Sequence, residues 1–132
     1  MMEKISVRTH GREEILDITE KIEKIISKSG ISSGYCIIYV PHTTAGVAIN
    51  ENADPAVKRD VLKILDTLIP QHGDYEHFEG NSPAHVKTIL TGTSQIILIE
   101  NGKLTLGTWQ GIYLCEFDGP RSRSVLIKII SS

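Results

Sequence analysis

Cysteine and large aromatic residues are scarce in this sequence. Its 132 residues include two cysteines, one tryptophan and two phenylalanines. Cys36 and Cys115 both lie inside apolar runs, GYCIIYV and IYLCEF, and no Cys-x-x-Cys pair occurs. This placement predicts two buried thiols and argues against a disulfide or a zinc knuckle.

The sequence also lacks an excess of charge and a long apolar run. The formal net charge is −2, so we expect no nucleic-acid partner and no anionic membrane surface, which basic patches would bind. No run approaches the roughly 20 apolar residues of a membrane span, and the first residues contain no signal-like segment. We therefore predict a cytoplasmic protein without a membrane partner, folded as a single domain over residues 1–132.

The first half of the chain predicts strands and two helices. Lys4–Thr9 alternates as a half-buried strand, and a helix is expected from about Asp17 or Thr19 to Ser29. GYCIIYV and AGVAIN are typical of strands. A second helix is expected after Asp54, a capping residue followed by proline, with apolar residues at helical spacing. These residues are Val57, Val61, Ile64, Leu65 and Leu68.

The second half predicts a polar loop over residues 71–81, a short helix from Ser82-Pro83 to about Gly92, and then strands. Asn101-Gly102 is typical of a tight hairpin turn. These strands are nearly continuous in isoleucine, leucine and valine. We therefore expect both sheet faces to be covered, in part by another subunit.

Five histidines are the most informative feature of the composition. His42 lies where a strand ends in a turn, His77 lies in the polar loop, and His85 lies in the first turn of the short helix. The positive end of that helix favours a neutral His85, and the three side chains could converge on a metal ion with one open position. The alternative is that they are ordinary histidines, because no HxxxH or HExxH spacing occurs. His10 and His72 are predicted to be solvent-exposed loop residues.

Two further segments carry polar side chains suited to chemistry. Hydroxyls, amides and a carboxylate between residues 43 and 54 could bind phosphate oxygens, a metal or a proton. They are Thr43, Thr44, Asn50, Glu51, Asn52 and Asp54, although Asp54 is already explained as a helix cap. Gly107 and Gly111 indicate a bulge or close approach that would expose Trp109 and Gln110, unless Trp109 is simply core. Arg121 could hold a phosphate or carboxylate, whereas Arg123 is predicted to be a solvated turn residue.

Three segments together resemble the YjbQ-like family, also called secondary thiamine-phosphate synthases. They are PHTTAGVAINENADP, YEHFEGNSPAHVK and SQIILIENGKLTLGTWQGIYLCEFDGPRSR. The resemblance implies an α+β fold, a single-domain mixed or antiparallel β-sandwich with about three flanking helices, assembled as a homotrimer. It also implies a cleft lined by the histidines and the Asn-Glu-Asn stretch, with a bound metal or anion.

The activity that the resemblance implies is a transferase reaction. Hydroxymethylpyrimidine diphosphate condenses with thiazole phosphate to give thiamine phosphate and pyrophosphate. The expected divalent metal, zinc or magnesium, would be held by His42, His77 and His85, and Glu51 would handle protons with His42 and Asn50 as further catalytic residues. The phosphorylated substrate would be bound by Thr43, Thr44, Asn81, Trp109, Gln110 and Arg121. The alternatives are a non-catalytic trimer that binds a metal or phosphorylated metabolite, and a metal-dependent hydrolase.

Overall fold

A computed structural model describes residues 2–132, which form two antiparallel sheets and three helices. The helices are α1 (Thr19–Ser29), α2 (Pro55–Leu68) and α3 (Ser82–Thr91). The strands are β1 (Met2–Arg8), β2 (Glu14–Asp17), β3 (Gly34–Tyr39), β4 (Ala45–Glu51), β5 (Ser94–Glu100), β6 (Lys103–Leu104), β7 (Gln110–Glu116) and β8 (Ser122–Ser131). The α+β prediction is confirmed, and every strand pair is antiparallel.

The larger sheet has the strand order β1-β8-β3-β5-β6, and the smaller sheet has the order β2-β7-β4. Their inner faces pack against each other through fully buried aliphatic side chains such as Ile38, Ile127 and Leu114. Helix α1 adds Ile22 and Ile26 to the same core. Because side chains alternate along a strand, the other face of the small sheet is left to α2 and α3.

The two longer helices begin where the sequence predicts, but they pack differently. Helix α1 ends at Gly30, whose left-handed φ of 72° suits a residue without Cβ. Helix α2 is capped by Asp54, whose carboxylate accepts the Ala56 N–H at 2.9 Å. Yet no residue of α2 is buried, although its apolar spacing matches that of α1. The apolar periodicity therefore predicted both helices. It did not show that α1 buries side chains in the core whereas α2 buries none.

One expectation about the strands is corrected. The sequence predicts a single strand pattern, KLTLGTWQGIYLCEF, after Asn101-Gly102, but β6 has two residues and a turn at 107–110 separates it from β7. Within the single chain, the outer face of the large sheet is uncovered. Its outer surface exposes Tyr35, Tyr39, Ile96 and Leu98, the last two at 65% and 60%. The chain itself covers the face toward the small sheet, and cover of the outer face by another subunit stays a prediction.

Both cysteines are free and buried, as predicted. Burial raises the pKa of the Cys115 thiol to about 12, which keeps it protonated and unreactive. Within residues 2–132 no helix combines the length and apolar character that crossing a bilayer requires.

Candidate functional site

The three predicted histidines line one cleft at the end of the small sheet. Its volume is about 390 Å³, and it lies where β4 begins and β7 ends. His42 comes from the turn before β4, His77 from the loop before α3, and His85 from the first turn of α3. A second hollow of about 370 Å³ shares His42, Thr43 and His85 with it and continues past Thr88 and Thr93.

His42 is held in a defined tautomer by the neighbouring strand. Its Nε2 accepts the backbone N–H of Ser124 in β8 at 2.9 Å. Burial lowers the pKa of His42, and the nearby Arg123 guanidinium lowers it further, so the ring is neutral at pH 7. Because Nε2 is an acceptor in a neutral ring, the proton is on Nδ1. His42 is therefore a hydrogen-bond donor in this arrangement.

His77 and His85 face each other across the cleft. Their ring centroids are 5.1 Å apart and their planes are nearly perpendicular, at 89°. Helix α3, which carries His85, is fixed by Lys87, whose buried ammonium pairs with Glu13 and Asp66. These pairs join α3 to α2 and to the segment before β2. The buried lysine therefore positions one wall of the cleft.

Asp118 is the centre of a polar network that also lines the cleft. Its Oδ2 accepts Asn81 Nδ2 at 2.8 Å and Arg121 Nη2 at 3.0 Å, and its carbonyl accepts Arg121 Nε at 2.7 Å. Arg121 therefore lines the cleft, as predicted, with two of its nitrogens already bonded to Asp118. The Oδ1 of Asn81 is buried and has no hydrogen-bond partner within residues 2–132. An acceptor in that state favours a donor or a cation beside it.

Beneath the histidines lies a buried ion pair between Glu116 and Arg123. Glu116 is 0% exposed and Arg123 is 5% exposed, so the prediction of a solvated Arg123 is wrong. Arg123 Nη2 also donates to Thr44 Oγ1 at 2.8 Å. Burial alone would raise the pKa of Glu116, but hydrogen bonds, chiefly from Arg123, outweigh it and leave that pKa below its usual value. This buried ion pair supports Thr44 and the turn before β4 that carries His42.

The cleft does not form a complete three-ligand metal site as it stands. In the part of the chain that the structure describes, no group of three His, Cys, Asp or Glu side chains is placed to hold an ion together. A metal bound by His42 would have to displace either the Ser124 hydrogen bond or the Nδ1 proton. His77, His85 and the unpartnered Asn81 oxygen suit a divalent ion in their chemistry. The metal therefore stays a prediction.

Four predicted site residues lie at the far end of the small sheet. Asn50 and Glu51 end β4, six and seven residues beyond Thr44, which is about 20 Å of extended chain. Trp109 and Gln110 lie beside them, since Gln110 pairs with Glu51 in the register. Within one chain the expected single cleft of histidines and the Asn-Glu-Asn stretch is therefore not formed. A role for Asn50 and Glu51 beside the histidines would require a neighbouring subunit.

The GTWQG segment has a local structural explanation. Gln110 Oε1 accepts the Gly107 N–H at 2.7 Å and closes the turn before β7. Gly111 is needed because a Cβ there would lie 2.8 Å from the Asn52 side chain, which confirms the predicted close approach. Trp109 is 64% exposed, so the core alternative is wrong for it.

Sequence reasoning missed three side chains that shape the cleft: Glu116, Asp118 and Arg123. Glu116 carried a usable signal, because a carboxylate inside the apolar run IYLCEF needs a buried partner. Asp118 lies in the turn between β7 and β8, and Arg123 was predicted to be a solvated turn residue. These two strands belong to different sheets, and only their packing beside this turn brings Arg123 onto Glu116.

Comparison with known proteins agrees with this architecture. The sequence profile of the family described as "UPF0047 protein YjbQ-like" matches residues 3–132. The chain belongs to the YjbQ-like UPF0047 family. UPF0047 protein MJ1081 of Methanocaldococcus jannaschii is 54% identical over 130 residues, which cover 98% of this chain and 94% of that protein. UPF0047 protein YugU of Bacillus subtilis is 50% identical over 131 residues, with coverage of 98% and 99%.

Solved structures of YjbQ-like proteins have the same fold. A YjbQ/UPF0047 family protein from Clostridium acetobutylicum superposes with a TM-score of 0.95 at 55% identity, covering 97% of this chain and 99% of that one. SSO2532 of Sulfolobus solfataricus has a TM-score of 0.96 at 33% identity, with coverage of 100% and 97%. The names of these relatives state family membership and no activity. The comparisons therefore show the family and the fold of this chain, whereas its activity is proposed from the site.

Proposed function

We propose that the histidine cleft binds a phosphorylated small molecule and catalyses departure of its phosphate or pyrophosphate group. The observation that carries this proposal is the convergence of His42, His77 and His85 from three separate segments on one polar cleft. Side chains that come from distant parts of a chain and meet in a polar hollow are typical of a reaction site.

The proposed roles follow from the bonds that each side chain already makes. His42 Nδ1–H can donate to a phosphate oxygen or to a leaving oxygen, because Nε2 is occupied by Ser124. The exposed hydroxyl of Thr43 can donate to the same group. Arg121 Nη1, the nitrogen not bonded to Asp118, can add a charged hydrogen bond. Asp118 fixes the direction of that guanidinium.

A divalent metal, zinc or magnesium, is part of the proposal. His77, His85 and Asn81 Oδ1 are the side chains that would hold it, with phosphate oxygens of the substrate as further ligands. Such an ion supplies charge neutralisation for a leaving pyrophosphate. The protein side chains His42 and Arg121 position the phosphate, and the buried residues at the bottom of the cleft exclude water.

The specific reaction that we propose is thiamine phosphate synthesis. The bond between the pyrimidine methylene carbon and pyrophosphate breaks, the thiazole nitrogen bonds to that carbon, and pyrophosphate leaves. The hollow beside the cleft, with Thr88 and Thr93, offers space for a ring next to the phosphate position. The support is the resemblance of the sequence segments and the polar cleft, and the cytoplasmic location predicted from sequence stays part of this proposal.

The proposal includes a homotrimer. The exposed Tyr35, Tyr39, Ile96 and Leu98 form an apolar face on the large sheet, and apolar faces of this kind favour association. A neighbouring subunit is also the means by which Glu51 could handle protons beside the histidines of another chain. Light scattering of the intact protein is expected to give three times the 14.6 kDa chain mass.

Binding is tested by calorimetry on chelator-stripped protein with zinc, magnesium, pyrophosphate, and metal with pyrophosphate. We expect pyrophosphate to bind more tightly with metal, and His85→Ala to weaken that binding about tenfold or more through the loss of a charge-assisted contact. His72→Ala is the matched control, because His72 is an exposed histidine of the loop before α3 and does not line the cleft. Equal binding by both variants would contradict the proposed site.

Turnover is tested on the same proteins with hydroxymethylpyrimidine diphosphate and thiazole phosphate. We expect thiamine phosphate to form with metal, and His42→Ala to lower the rate more than the affinity. Phosphate release without thiazole would identify a metal-dependent hydrolase instead. Binding with no product of either kind would identify a non-catalytic sensor and would overturn the enzymatic part of the proposal.

A further inference from the structure

A second cavity lies between α2 and the outer face of the small sheet. Its volume is about 240 Å³, and its walls include Ala48, Val57, Val61, Leu65 and Phe117. Helix α2 lies over the sheet without burying any of its residues. Val57, Val61 and Leu65 of the helix line this apolar space, and Leu62 and Leu65 pack in part against the buried side chains of the small sheet. The contact between helix and sheet is therefore incompletely filled.

One positive and one negative residue line this cavity. Lys58 lies on the first turns of α2, and its Nζ lies 5.1 Å from the centroid of the Tyr113 ring. Glu51 lies at the end of β4, and its carbonyl accepts the Tyr113 hydroxyl at 2.8 Å. Both residues line the cavity, and within residues 2–132 neither side chain takes part in an ion pair.

We propose that this cavity binds a free α-amino acid with an apolar side chain. Lys58 would pair with the carboxylate of the amino acid, Glu51 would pair with its ammonium group, and the aliphatic walls would take its side chain. A purely apolar ligand would leave both charges unused, and a simple anion would be repelled by Glu51. A zwitterion with an apolar body satisfies the walls and both charges together.

The volume of the cavity agrees with a side chain of that class. An apolar cavity of about 150 Å³ in another protein holds benzene, so about 240 Å³ is enough for the side chain of leucine or phenylalanine. The floor includes Cys115, whose thiol is inert because it is buried. An aliphatic or aromatic group there would meet no reactive or charged atom.

Within one chain this site and the histidine cleft share no lining residue, and Glu51 is the one residue to which both proposals give a role. The cavity opens at the end of β4 that is about 20 Å from the histidine cleft. Failure of the amino-acid test leaves the calorimetry with pyrophosphate unaffected, and the reverse also holds.

The test is a titration of the intact protein with L-leucine, followed by ¹H–¹³C spectra of labelled isoleucine, leucine and valine methyl groups. We expect saturable shifts of the Val57, Val61 and Leu65 methyls, with the core methyls of Ile22 and Ile127 unchanged. The ligand controls are 4-methylpentanoate, which lacks the amine, 3-methylbutylamine, which lacks the carboxylate, and glycine, which lacks the side chain. Each is expected to bind about tenfold or more weakly than leucine.

Two variants test the protein side of the contact. Lys58→Met removes the charge and keeps the length of the side chain, and it should weaken leucine binding about tenfold. Lys63→Met, on the same helix and outside the cavity, is the matched control and should bind as the wild type does. Val61→Phe fills the space and should abolish binding while the protein remains folded.

Three results would overturn the inference. They are no shift of cavity methyls at millimolar leucine, equal affinity for leucine and its two truncated analogues, and equal loss of affinity in Lys58→Met and Lys63→Met.

Discussion

Strands β4 and β7 connect two hollows of opposite chemistry. At one end, the histidine cleft rests on the buried Glu116–Arg123 pair and on side chains with several hydrogen bonds each. At the other end, the cavity under α2 is bounded by aliphatic side chains of a helix with no buried residue. The comparison indicates that the polar end is geometrically fixed and the apolar end is adaptable. Substitutions should therefore be costly at the first end and mild at the second.

The largest expected effect is that of Arg123→Met at the polar end. It leaves the carboxylate of Glu116, which is 0% exposed, buried without its partner. Removal of one member of such a pair lowers the free energy of unfolding by about 3–5 kcal/mol. Urea unfolding followed by circular dichroism measures the loss. Arg59→Met, an exposed arginine of α2, is the control and should change the free energy by less than about 0.5 kcal/mol.

A double variant separates the lost charge pairing from lost packing. Arg123→Met combined with Glu116→Leu removes both charges and should recover most of the stability, because no buried charge remains unpaired. If the double variant is as unstable as Arg123→Met alone, the floor of the cleft is not held by the ion pair.

The second effect is on the pH dependence of stability. The pKa of Glu116 is lowered in the folded state, so its contribution is present above the ordinary value of 4.5 and is lost as the pH falls through the folded value. The lowered pKa of His42 acts in the same direction, since the unfolded chain takes up that proton first as the pH falls below 6.5. Urea midpoints between pH 7 and pH 3 should therefore fall, and fall less steeply in the double variant. A midpoint that stays constant or rises toward pH 3 would contradict this assignment.

The smallest effects compare two alanines of the same strand. Ala45 is 0% exposed in the core between the sheets, and Ala48 lines the cavity under α2. Ala45→Val inserts methyl groups into a filled space and should lower the free energy of unfolding by about 1–3 kcal/mol. Ala48→Val places the same groups in an open space and should change it by less than about 0.5 kcal/mol.

The matched strand context makes the difference between the alanine variants informative. Both substitutions give the strand the same gain in β-propensity, so the difference isolates packing. Equal destabilisation by the two valines would mean that the cavity under α2 is closed in solution.

Local sequence predicted much of the fold because its signals act over a few residues. Asp54 with Pro55 starts α2, Gly30 ends α1, and Asn101-Gly102 turns the chain from β5 into β6. Each of these depends on caps, backbone conformation or spacing within one segment. The exposed outer sheet face and the open underside of α2 were not predictable in this way, since burial depends on which distant element packs there.

The candidate site was predictable in part for the same reason. His42, His77 and His85 were selected because each lies at a loop or helix start, and they do line one cleft. Arg123 was misjudged because its partner, Glu116, lies across a turn on a strand of the other sheet. Glu51 was grouped with Thr43 and Thr44 through proximity in sequence, and with the histidines through the family resemblance. Residues a few positions apart on an extended strand lie far apart in space. Glu51 therefore lies far from Thr43 and Thr44.

The sequence by itself determined the three helices, most of the strands, the buried thiols and family membership, because these depend on local patterning and on motifs of fixed spacing. Only the tertiary structure decided which polar residues meet. The antiparallel pairing of β4 with β7 carries Thr44 and Glu51 to opposite ends of a strand about 20 Å long. At one end of the small sheet, the histidines lie over a buried ion pair. At the other end, Glu51 and Lys58 line an apolar cavity.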